Sequence, residues 1–160
     1  MPTEFIRVRK AILSDSEIIV RFNLILAQEM ENKCLDLIQL KSGVDAVLSA
    51  TDDGRGFYVV AEIGTQPVGA LHVTYEWSPW RNATFWWLNN VFVEPEWRRK
   101  GVYTRMHHFV EQLTNSYQQV CGIRLFTSAD NHTAKQAYEK LGMVPEASYV
   151  CEIDYYLGTR

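Results

Sequence analysis

The sequence predicts a single α+β, or mixed α/β, domain, and two observations support this fold class. Apolar residues recur at helical spacing in some segments and at alternate positions in others, which indicates both helices and strands. These segments follow one another in the order β-α-α-β-β-β-α-β-α-β, with no linker, internal repeat or low-complexity stretch between them. A chain of 160 residues with 47% apolar residues can bury a sizeable core, so residues 1–160 are expected to form one domain.

The first part of the chain is predicted to form a strand followed by two helices. Apolar and charged residues alternate over residues 5–9, which is typical of a short strand. Residues 14–17 (Ser-Asp-Ser-Glu) have the capping-box pattern of a helix start, and apolar residues then follow at helical spacing. A second, shorter helical pattern covers residues 35–50 and ends at the turn-rich residues 51–54.

Three strands are predicted next, because the apolar period changes from about 3.6 to about 2 residues. Residues 57–63 form the first of them, residues 64–67 a hairpin turn, and residues 68–75 the returning strand. Residues 84–93 form the third strand, which is rich in aromatic residues. Pro95 ends it, because proline cannot donate to a sheet ladder.

The last part of the chain is predicted to alternate between helix and strand. A long helix is expected after residue 101, since apolar residues at spacings of three and four give it one buried stripe. The stripe consists of Val102, Met106, Phe109, Val110, Leu113 and Tyr117. A strand over residues 120–127, a helix over residues 131–141 that ends at Gly142, and a last extended strand over residues 143–157 complete the chain.

Charge and hydropathy exclude several classes of protein. The net charge of −3 argues against nucleic acid or an anionic membrane as the main partner. No apolar run approaches the roughly 20 residues that a membrane span needs, and charges interrupt residues 1–10, where a signal-peptide core would lie. The three cysteines, Cys34, Cys121 and Cys151, are widely separated, which is typical of reduced packing residues in a cytoplasmic protein.

No metal site is expected from the sequence. His107 and His108 are adjacent, so on a helix their side chains point about 100° apart and cannot chelate one ion together. No cluster of Cys, His and Asp residues indicates zinc, and no G-x-S-x-G or Cys/His arrangement indicates a covalent intermediate.

The most informative segment is EPEWRRKGVYTRM, residues 94–106, which joins the aromatic strand to the long helix. The first turn of a helix has unpaired N–H groups and about half a positive charge, so it favours an anion. The segment also supplies three cations, a glycine for close backbone approach and a hydroxyl, namely Arg98, Arg99, Lys100, Gly101 and Thr104. A solvated turn is the alternative interpretation, since the segment matches neither a P-loop nor a dinucleotide fingerprint.

Three segments of the chain carry motifs of one known family. Arg98-x-x-Gly101-x-Tyr103 follows the pattern Q/R-x-x-G-x-G/A, after a strand that ends VFVEPEWR. NHTAKQAYEKLGM, residues 131–143, follows N-x-x-A-x-x-x-Y-E-K-L-G-F, and IRVRKAILSDSEIIVRF is similar to an opening strand and helix. In this order the segments resemble the GNAT superfamily of acetyl-CoA-dependent N-acetyltransferases over nearly the whole chain. The resemblance implies a GNAT fold, with a mixed, mostly antiparallel central sheet and helices on both faces.

The resemblance also implies acetyl-CoA as co-substrate and assigns residues to it. Backbone amides of residues 98–104 would hold the pyrophosphate, residues 91–93 would pair with the pantetheine arm as an added strand, and Asn131 and Ala134 would flank that arm. Tyr103 stands where the signature has glycine or alanine, so its side chain must point away from the phosphates. The implied cofactor residues are Val91, Phe92, Val93, Arg98, Arg99, Lys100, Gly101, Val102, Tyr103, Thr104, Asn131, Ala134, Tyr138 and, near the nucleotide, Lys140.

Acetyl transfer needs a proton acceptor for the amine and a proton donor for the leaving sulfur. A free alkyl ammonium has a pKa of about 10, so a base or a water chain is expected. A backbone N–H near residues 91–93 would stabilise the thioester oxygen as it gains charge. The resemblance implies Tyr138, one helical turn after Ala134, as the general acid. The alternative for Tyr138 is a core tyrosine whose ring packs on an apolar face.

The sequence does not identify the general base. Many members of the family place a carboxylate on the strand before the basic turn, where this chain has Trp-Trp-Leu-Asn-Asn at residues 86–90. Asn90, the second catalytic candidate, cannot act as a base and would only order a water, and the same holds for Asn89.

Other candidates for the base and the acceptor site lie elsewhere in the chain. Glu29, Glu31 and Glu76 are carboxylates at element ends, and each is otherwise a surface residue. His72 would relay a proton, although a lone strand histidine is more often a packed one. Residues 75–87 hold four of the five tryptophans and border the acceptor region, where aromatic rings would contact an ammonium, or else belong to the core. The substrate residues chosen are Glu29, Glu76 and Trp87.

These interpretations together indicate a cytoplasmic enzyme that moves an acetyl group from acetyl-CoA to a primary amine of a small molecule, by direct attack in a ternary complex. A protein acetyltransferase that acts on lysine or an N-terminus is one alternative, and a non-catalytic sensor that binds coenzyme A is another. Neither nucleic acid nor a membrane is expected as a partner, and a homodimer is left open.

Overall fold

The computed structural model of the protein describes residues 5–50 and 53–156. The chain divides into two compact units, residues 1–126 and 127–160, and each has its own internal contacts. The expectation of one domain over residues 1–160 stays a prediction. In chain order, the elements are β1 (Ile6–Lys10), α1 (Ser16–Glu31), α2 (Leu37–Ser49), β2 (Phe57–Ile63), β3 (Gln66–Ser78), β4 (Ala83–Val93), α3 (Val102–Thr114), β5 (Val120–Leu125) and α4 (His132–Lys140).

The five strands of the first unit form one mixed, mostly antiparallel sheet. The strand order is β1-β2-β3-β4-β5, and each neighbouring pair is antiparallel except β4 and β5, which are parallel. A parallel pair needs a crossover connection, and α3 provides it between β4 and β5. The fold class implied by the sequence is confirmed, and so is the predicted order of elements from β1 to α4.

Helices cover both faces of the sheet, because its central strands are apolar on both sides. Alternate residues of a strand point in opposite directions. On β2, Val59 and Ala61 pack with α3, whereas Tyr58 and Val60 pack with α1 and α2. The core on the α3 face also contains Val68, Leu71, Val73, Trp86, Leu88, Val102, Met106 and Val110. The core on the other face also contains Ile19, Val20, Phe22, Val44, Ala70 and Phe92.

The start of α1 differs from the predicted capping box at residues 14–17. The helix begins at Ser16, whose hydroxyl donates to Asp45 of α2 instead of capping the helix. Asp15 accepts the Ile12 N–H at 2.7 Å and so stabilises the short 3-10 turn that precedes α1. Ser14, Asp15 and Ser16 are all residue types that can cap a helix. The hydroxyl of Ser16 is engaged by α2, so Ser16 does not cap α1.

A buried ionic cluster joins β1, the turn before α1 and β2. The Arg9 guanidinium donates to both oxygens of Asp15, at 2.7 and 2.9 Å, and to Glu62 at 3.1 Å. Asp15 and Glu62 are each 6% exposed. The hydrogen bonds from Arg9 hold the pKa of the Asp15 carboxyl below its ordinary value. Removing one partner would leave a buried charge unpaired, so this cluster fixes the first turn of α1 against the sheet.

The second unit consists of α4 and an extended segment. Asn131 caps α4, since its side-chain oxygen accepts the Ala134 N–H at 3.1 Å, and Gly142 follows the helix with a φ of 80° as expected for a helix-ending glycine. The strand expected over residues 143–157 is not formed in the described part, residues 143–156. Its apolar alternation is present, but a strand needs a partner for its backbone groups, and the described residues of this unit include no other strand.

The three cysteines are free thiols. Cys34 and Cys151 are exposed and Cys121 is half-buried, so the expectation of packing residues is wrong for the first two. Among the described helices, none combines the length and the apolar character that a membrane crossing requires.

Candidate active site

β4 contains a bulge near its end. The register between β3 and β4 shifts so that one residue of β3, Leu71, faces two residues of β4, Asn90 and Val91. Asn90 has a φ of 50°, in the left-handed region that asparagine enters more readily than most residues. A bulge bends its strand and redirects the backbone that follows. Sequence reasoning missed this bulge, although two asparagines within an aromatic strand were a signal, because asparagine is depleted in strands.

β4 and β5 stop pairing just before the bulge. Their parallel register ends at Leu88 and Leu125, whereas β4 continues over residues 89–93. Within the first unit this stretch therefore pairs with β3 on one side and is open on the side of β5. We call residues 89–93 the open stretch. It contains the three predicted pantetheine residues, Val91, Phe92 and Val93.

The side chains of the open stretch belong mostly to the two cores. Phe92 is 2% exposed and its ring centroid lies 4.7 Å from that of Phe22 on α1. Val91 and Val93 are half-buried and pack against the α3 face. What the open stretch offers to a ligand is consequently its main chain.

The chain turns sharply between β4 and α3. Arg99 and Gly101 both have positive φ angles, 62° and 82°, and α3 begins at Val102. The N–H of Arg105 donates to the Gly101 carbonyl at 3.0 Å, and the first turn of any helix presents N–H groups with no carbonyl one turn before them. The φ angle of Gly101 favours glycine at this position. Space does not, because an added Cβ would meet no heavy atom within 4 Å, and the surface beside Gly101 is therefore open.

Arg98 joins this basic turn to α1. Its Nε donates to the Val93 carbonyl at 2.9 Å and its Nη2 to the Glu29 carboxylate at 2.8 Å. Glu94, at the other end of the turn, forms a second ion pair with Arg21 of α1. A predicted cofactor residue, Arg98, and a predicted substrate residue, Glu29, are thus partners of each other.

The other predicted residues of the turn differ in what they expose. Arg99 and Lys100 are exposed, and the Lys100 ammonium lies 4.4 Å from the Trp97 ring centroid. Val102 is 1% exposed, so only its main chain is accessible. Thr104 is half-buried in the first turn of α3.

Tyr103, which departs from the family signature, is directed along α3. Its hydroxyl lies 3.1 Å from Nδ1 of His107, one turn further into the helix, and His107 is 2% exposed. Burial lowers the pKa of His107, and the charge of Glu111 opposes that effect. The ring of Tyr103 is therefore held towards the middle of α3 and away from the amides of its first turn, as the signature requires of a side chain here.

Amide side chains occupy the place on β4 where the family resemblance implies a carboxylate. Asn90 donates to Asn23 of α1 at 2.7 Å, and Asn23 itself is 8% exposed and donates to a carbonyl of its own helix. Asn89 donates to the Thr74 hydroxyl of β3 at 2.7 Å. Neither amide titrates, and both are held by neighbours. Asn23 is a residue that sequence reasoning did not select.

Two predicted substrate residues, Glu76 and Trp87, meet on the α1 face of the sheet. The Trp87 indole N–H donates to Glu76, and Arg124 of β5 approaches the same carboxylate at 3.2 Å. Sequence reasoning missed Arg124, whose guanidinium carbon lies 3.6 Å from the Phe85 ring centroid. The Trp87 ring stacks on Phe126, with their centroids 4.4 Å apart. Three strands thus present one charged and aromatic cluster.

The three predicted substrate residues do not share one set of contacts. Glu29 pairs with Arg98, and Glu76 and Trp87 belong to the cluster with Arg124. Glu31, considered as a base, pairs with Lys33 at 2.5 Å.

His72 lies on β3 directly opposite Asn89, on the face that α1 and α2 pack against. Its ring stacks on Tyr58 of β2 with a centroid distance of 4.5 Å, and its Nε2 lies 2.8 Å from the Arg55 carbonyl. Burial lowers the pKa of His72, and the bond to Arg55 offsets part of that effect. Burial raises the pKa of Tyr58 to about 12, so Tyr58 stays protonated at neutral pH.

The remaining predicted residues belong to the second unit. Asn131 and Ala134 are both half-buried and share the capping hydrogen bond, and Lys140 is exposed in the last turn of α4. Tyr138 is half-buried, and burial raises the pKa of its hydroxyl. Across both described ranges, no group of three or more His, Cys, Asp or Glu side chains is placed to hold a metal ion.

The first unit combines a helix start that suits an anion with a strand whose main chain is open. Helix N-termini with added positive charge bind phosphate groups, and an open strand edge binds an extended chain by backbone hydrogen bonds. The open stretch leads through residues 94–101 to the start of α3, so the two features follow one another along the chain.

Comparison with known proteins shows what this arrangement resembles. The family model described as "Acetyltransferase (GNAT) family" matches residues 26–143. The crystal structure of a possible acetyltransferase from Clostridium difficile 630 shares 35% sequence identity, with a TM-score of 0.81 and coverage of 94% of this chain and 98% of that chain. A comparison with curated proteins finds no match.

Two more distant structures share the fold. One is an aminoglycoside acetyltransferase from an uncultured soil metagenomic sample in complex with sisomicin, with 17% identity, a TM-score of 0.71 and coverage of 96% and 97% of the two chains. The other is described as a predicted acetyltransferase with acetyl-CoA from Clostridium acetobutylicum, with 17% identity, a TM-score of 0.74 and coverage of 94% and 96%.

Proposed function

The chain belongs to the acetyltransferase (GNAT) family, and on this premise we propose that it transfers an acetyl group from acetyl-CoA to a primary amine of a small molecule. The amine attacks the thioester directly while both substrates are bound. The observation that carries the proposal is the open stretch of β4, which runs into a basic turn at the start of α3. Acetyl-CoA has the matching parts, an extended amide-containing arm and a diphosphate.

The diphosphate is proposed to bind at the first turn of α3. The helix start supplies N–H donors and a partial positive charge, and Arg99 and Lys100 are exposed beside it. Gly101 leaves the approach open, and the hydrogen bond between Tyr103 and His107 holds the Tyr103 ring away from it. These features fit an anion of this size and charge.

The pantetheine arm is proposed to pair with the main chain of Val91, Phe92 and Val93. The side chains of these residues pack into the cores, so backbone groups on the side of β5 are what an extended arm can use. The bulge at Asn90 redirects the backbone just before them. An N–H of this segment would meet the thioester oxygen as it gains negative charge.

Tyr138 is proposed as the general acid for the departing sulfur. Its raised pKa means that the phenol carries its proton throughout the neutral range, as a proton donor must. Asn131, Ala134 and Lys140 stay the further cofactor contacts that the family resemblance implies.

The acceptor is proposed to be a small amine with an apolar or ring-containing body. The stacked pair of Trp87 and Phe126 offers a flat surface, and Glu76 brings a carboxylate beside it. The aminoglycoside acetyltransferase that shares the fold is in complex with sisomicin, and this supports a small acceptor. A cytoplasmic location and a homodimer stay predictions.

A coenzyme-A-binding protein without catalysis is the second candidate. It is favoured by one observation, that Asn89 and Asn90 occupy the segment of β4 where many members of the family have a carboxylate. Acetylation of lysine or of a protein N-terminus is tested together with it.

The experiment measures cofactor binding and turnover separately. Isothermal titration with acetyl-CoA tests residues 98–104 as the diphosphate cradle. Release of free thiol is followed with benzylamine, tyramine, spermidine, L-lysine, kanamycin and an alanine-initiated peptide as acceptors. Binding together with turnover of a small amine supports the proposal. Binding with turnover of the peptide alone favours protein acetylation, and binding with no turnover favours the sensor. Absence of binding at saturating acetyl-CoA would reject all three.

A further inference from the structure

We propose that His72 is the general base of the reaction, the group that accepts the proton of the acceptor ammonium. This inference rests on the acetyl transfer proposed above and adds the catalytic residue that the sequence did not identify. Three observations carry it. His72 lies beside the bulge of β4, a hydrogen bond fixes its ring, and the carboxylates that could otherwise act as the base are paired with cationic or N–H groups.

His72 lies next to the place where the thioester is proposed to react. It pairs with Asn89, the residue immediately before the bulge. Residues directly opposite each other on antiparallel strands have Cα atoms about 4.5–5.5 Å apart. Its side chain is on the face that also carries Thr74 and Glu76, since these residues alternate along β3. An amine that approached the open stretch from this face would pass the imidazole.

The hydrogen bond to Arg55 fixes which ring nitrogen is basic. A carbonyl oxygen only accepts, so Nε2 of His72 must carry the hydrogen that is donated to the Arg55 carbonyl at 2.8 Å. In the neutral ring Nδ1 then has the free lone pair. The His72 ring stacks on Tyr58 with the two ring planes 20° from parallel, and this restrains the imidazole so that Nδ1 keeps one direction. A fixed tautomer in a fixed orientation is what a general base requires.

The carboxylates considered for the same role already have cationic or N–H partners. Glu29 accepts from Arg98, Glu76 from both Arg124 and Trp87, and Glu31 pairs with Lys33. Each would have to leave these partners before it could accept a proton from the substrate.

The surroundings of His72 favour its neutral form. Burial lowers its pKa, so the imidazole is unprotonated and ready at neutral pH. The groups that face it are Tyr58 on β2, the Arg55 carbonyl before β2, and the uncharged Asn89 on β4. From α1, the polar group that reaches this part of β4 is the Asn23 amide, and further along β3 the charge of Glu76 is paired with Arg124.

The step balances with His72, Tyr138 and solvent as the proton carriers. Nδ1 of His72 accepts a proton from the ammonium, and the freed nitrogen lone pair forms the C–N bond to the acetyl carbon. The C–S bond breaks, its electron pair goes to sulfur, and Tyr138 donates the proton that sulfur takes up. As the C–S bond breaks, the acylated nitrogen releases its second proton to solvent, which leaves a neutral amide. The His72 imidazolium returns its proton to solvent, and solvent reprotonates Tyr138.

The test compares His72→Gln with His108→Gln, an exposed histidine on α3. Glutamine retains an N–H for the Arg55 carbonyl but has no basic nitrogen. With the best acceptor of the panel, we expect kcat/KM of His72→Gln to fall about 100-fold at pH 7, within the usual range for a lost general base. The loss should shrink as the pH approaches the pKa of the amine, because the substrate then loses its proton without help. His108→Gln should follow the unmodified protein at every pH.

Two further measurements do not depend on turnover. Titration calorimetry should give the same acetyl-CoA affinity for His72→Gln and the unmodified protein, and NMR of the imidazole nitrogens should show the Nε2–H tautomer with a pKa below that of a free histidine. Added imidazole should restore activity to His72→Gly, a second variant that keeps the inference testable if glutamine disturbs the fold. Turnover by the unmodified protein with an unchanged rate and pH profile in His72→Gln would overturn the inference, whereas absence of turnover in the unmodified protein overturns the proposed transfer itself.

Discussion

Arg98 and Glu29 form an ion pair, with 2.8 Å between guanidinium nitrogen and carboxylate oxygen, that joins the basic turn before α3 to the end of α1. Their side chains are 44% and 39% exposed, so the pair contributes about 0.2–1 kcal/mol to folding. The same guanidinium belongs to the proposed diphosphate cradle. Glu29 therefore stabilises the fold while it competes with the diphosphate for Arg98.

Glu29→Gln and Arg98→Gln are both predicted to lower stability, and they are predicted to have opposite effects on cofactor affinity. Both substitutions break the ion pair, so Glu29→Gln should lower the free energy of unfolding by about 0.2–1 kcal/mol. Arg98→Gln should lower it by more, because it also loses the hydrogen bond to the Val93 carbonyl. Glu29→Gln removes a negative charge beside the cradle and should strengthen acetyl-CoA binding, whereas Arg98→Gln should weaken it by about twofold to fivefold. Urea unfolding and titration calorimetry measure the two quantities.

Glu31→Gln is the control, because it removes a negative charge from the same end of α1 but from a pair with Lys33. Its affinity for acetyl-CoA should stay close to that of the unmodified protein. Equal weakening by Glu29→Gln and Arg98→Gln would show that the pair acts only through the fold.

Gly101→Ala and Gly43→Ala are predicted to change stability in opposite directions. Gly101 has a φ of 82°, which costs an alanine about 1–2 kcal/mol, although the space around it is open. Gly43 lies within α2 with nothing near its added Cβ, so alanine there should stabilise the helix by about 0.5–1 kcal/mol. Chemical denaturation measures both, and acetyl-CoA affinity should fall for Gly101→Ala alone. A stable Gly101→Ala with normal affinity would argue against the cradle.

Tyr138→Phe is predicted to lower turnover without changing cofactor affinity. The ring is retained, so packing is kept, but the proton for the leaving sulfur is lost, and we expect kcat to fall about 100-fold. Thiol release under saturating acetyl-CoA and titration calorimetry separate the two effects. Tyr149→Phe is the control within the second unit, since Tyr149 is 97% exposed. An unchanged kcat in Tyr138→Phe would leave the hydroxyl with a packing role only.

The fold was largely predictable because its elements have clear apolar periods. β2 lies at the predicted residues, and α3 buries Val102, Met106 and Val110 of its predicted stripe. The last strand was not predictable in the same way, since alternation specifies a strand's faces but not a partner for its backbone.

The candidate site was predictable where a residue type determines the local backbone, and not where a tertiary contact decides. The positive φ of Gly101 and the exposure of the cations beside it follow from residue type, whereas their role in binding stays a prediction. The partnership of Arg98 with Glu29, the clustering of Arg124 with Glu76, and the support of Asn90 by Asn23 join residues far apart in the chain. No local pattern encodes such contacts.

Asp15→Asn is predicted to reduce the loss of stability at acid pH. Arg9 holds the pKa of Asp15 below its value in the unfolded chain, so the folded state binds fewer protons and stability falls as the pH falls. The stability that comes from the lowered pKa of Asp15 is fully present above the ordinary carboxyl pKa of about 4, and it is lost progressively as the pH falls below that value. Asp15→Asn should lower the free energy of unfolding at pH 7 by roughly 1–3 kcal/mol, and by less at pH 3, where Asp15 is protonated in any case. Asp130→Asn, at an exposed position, should change neither value. Urea unfolding at both pH values measures the difference, and an equal loss at pH 7 and pH 3 would mean that the charge of Asp15 does not stabilise the first turn of α1.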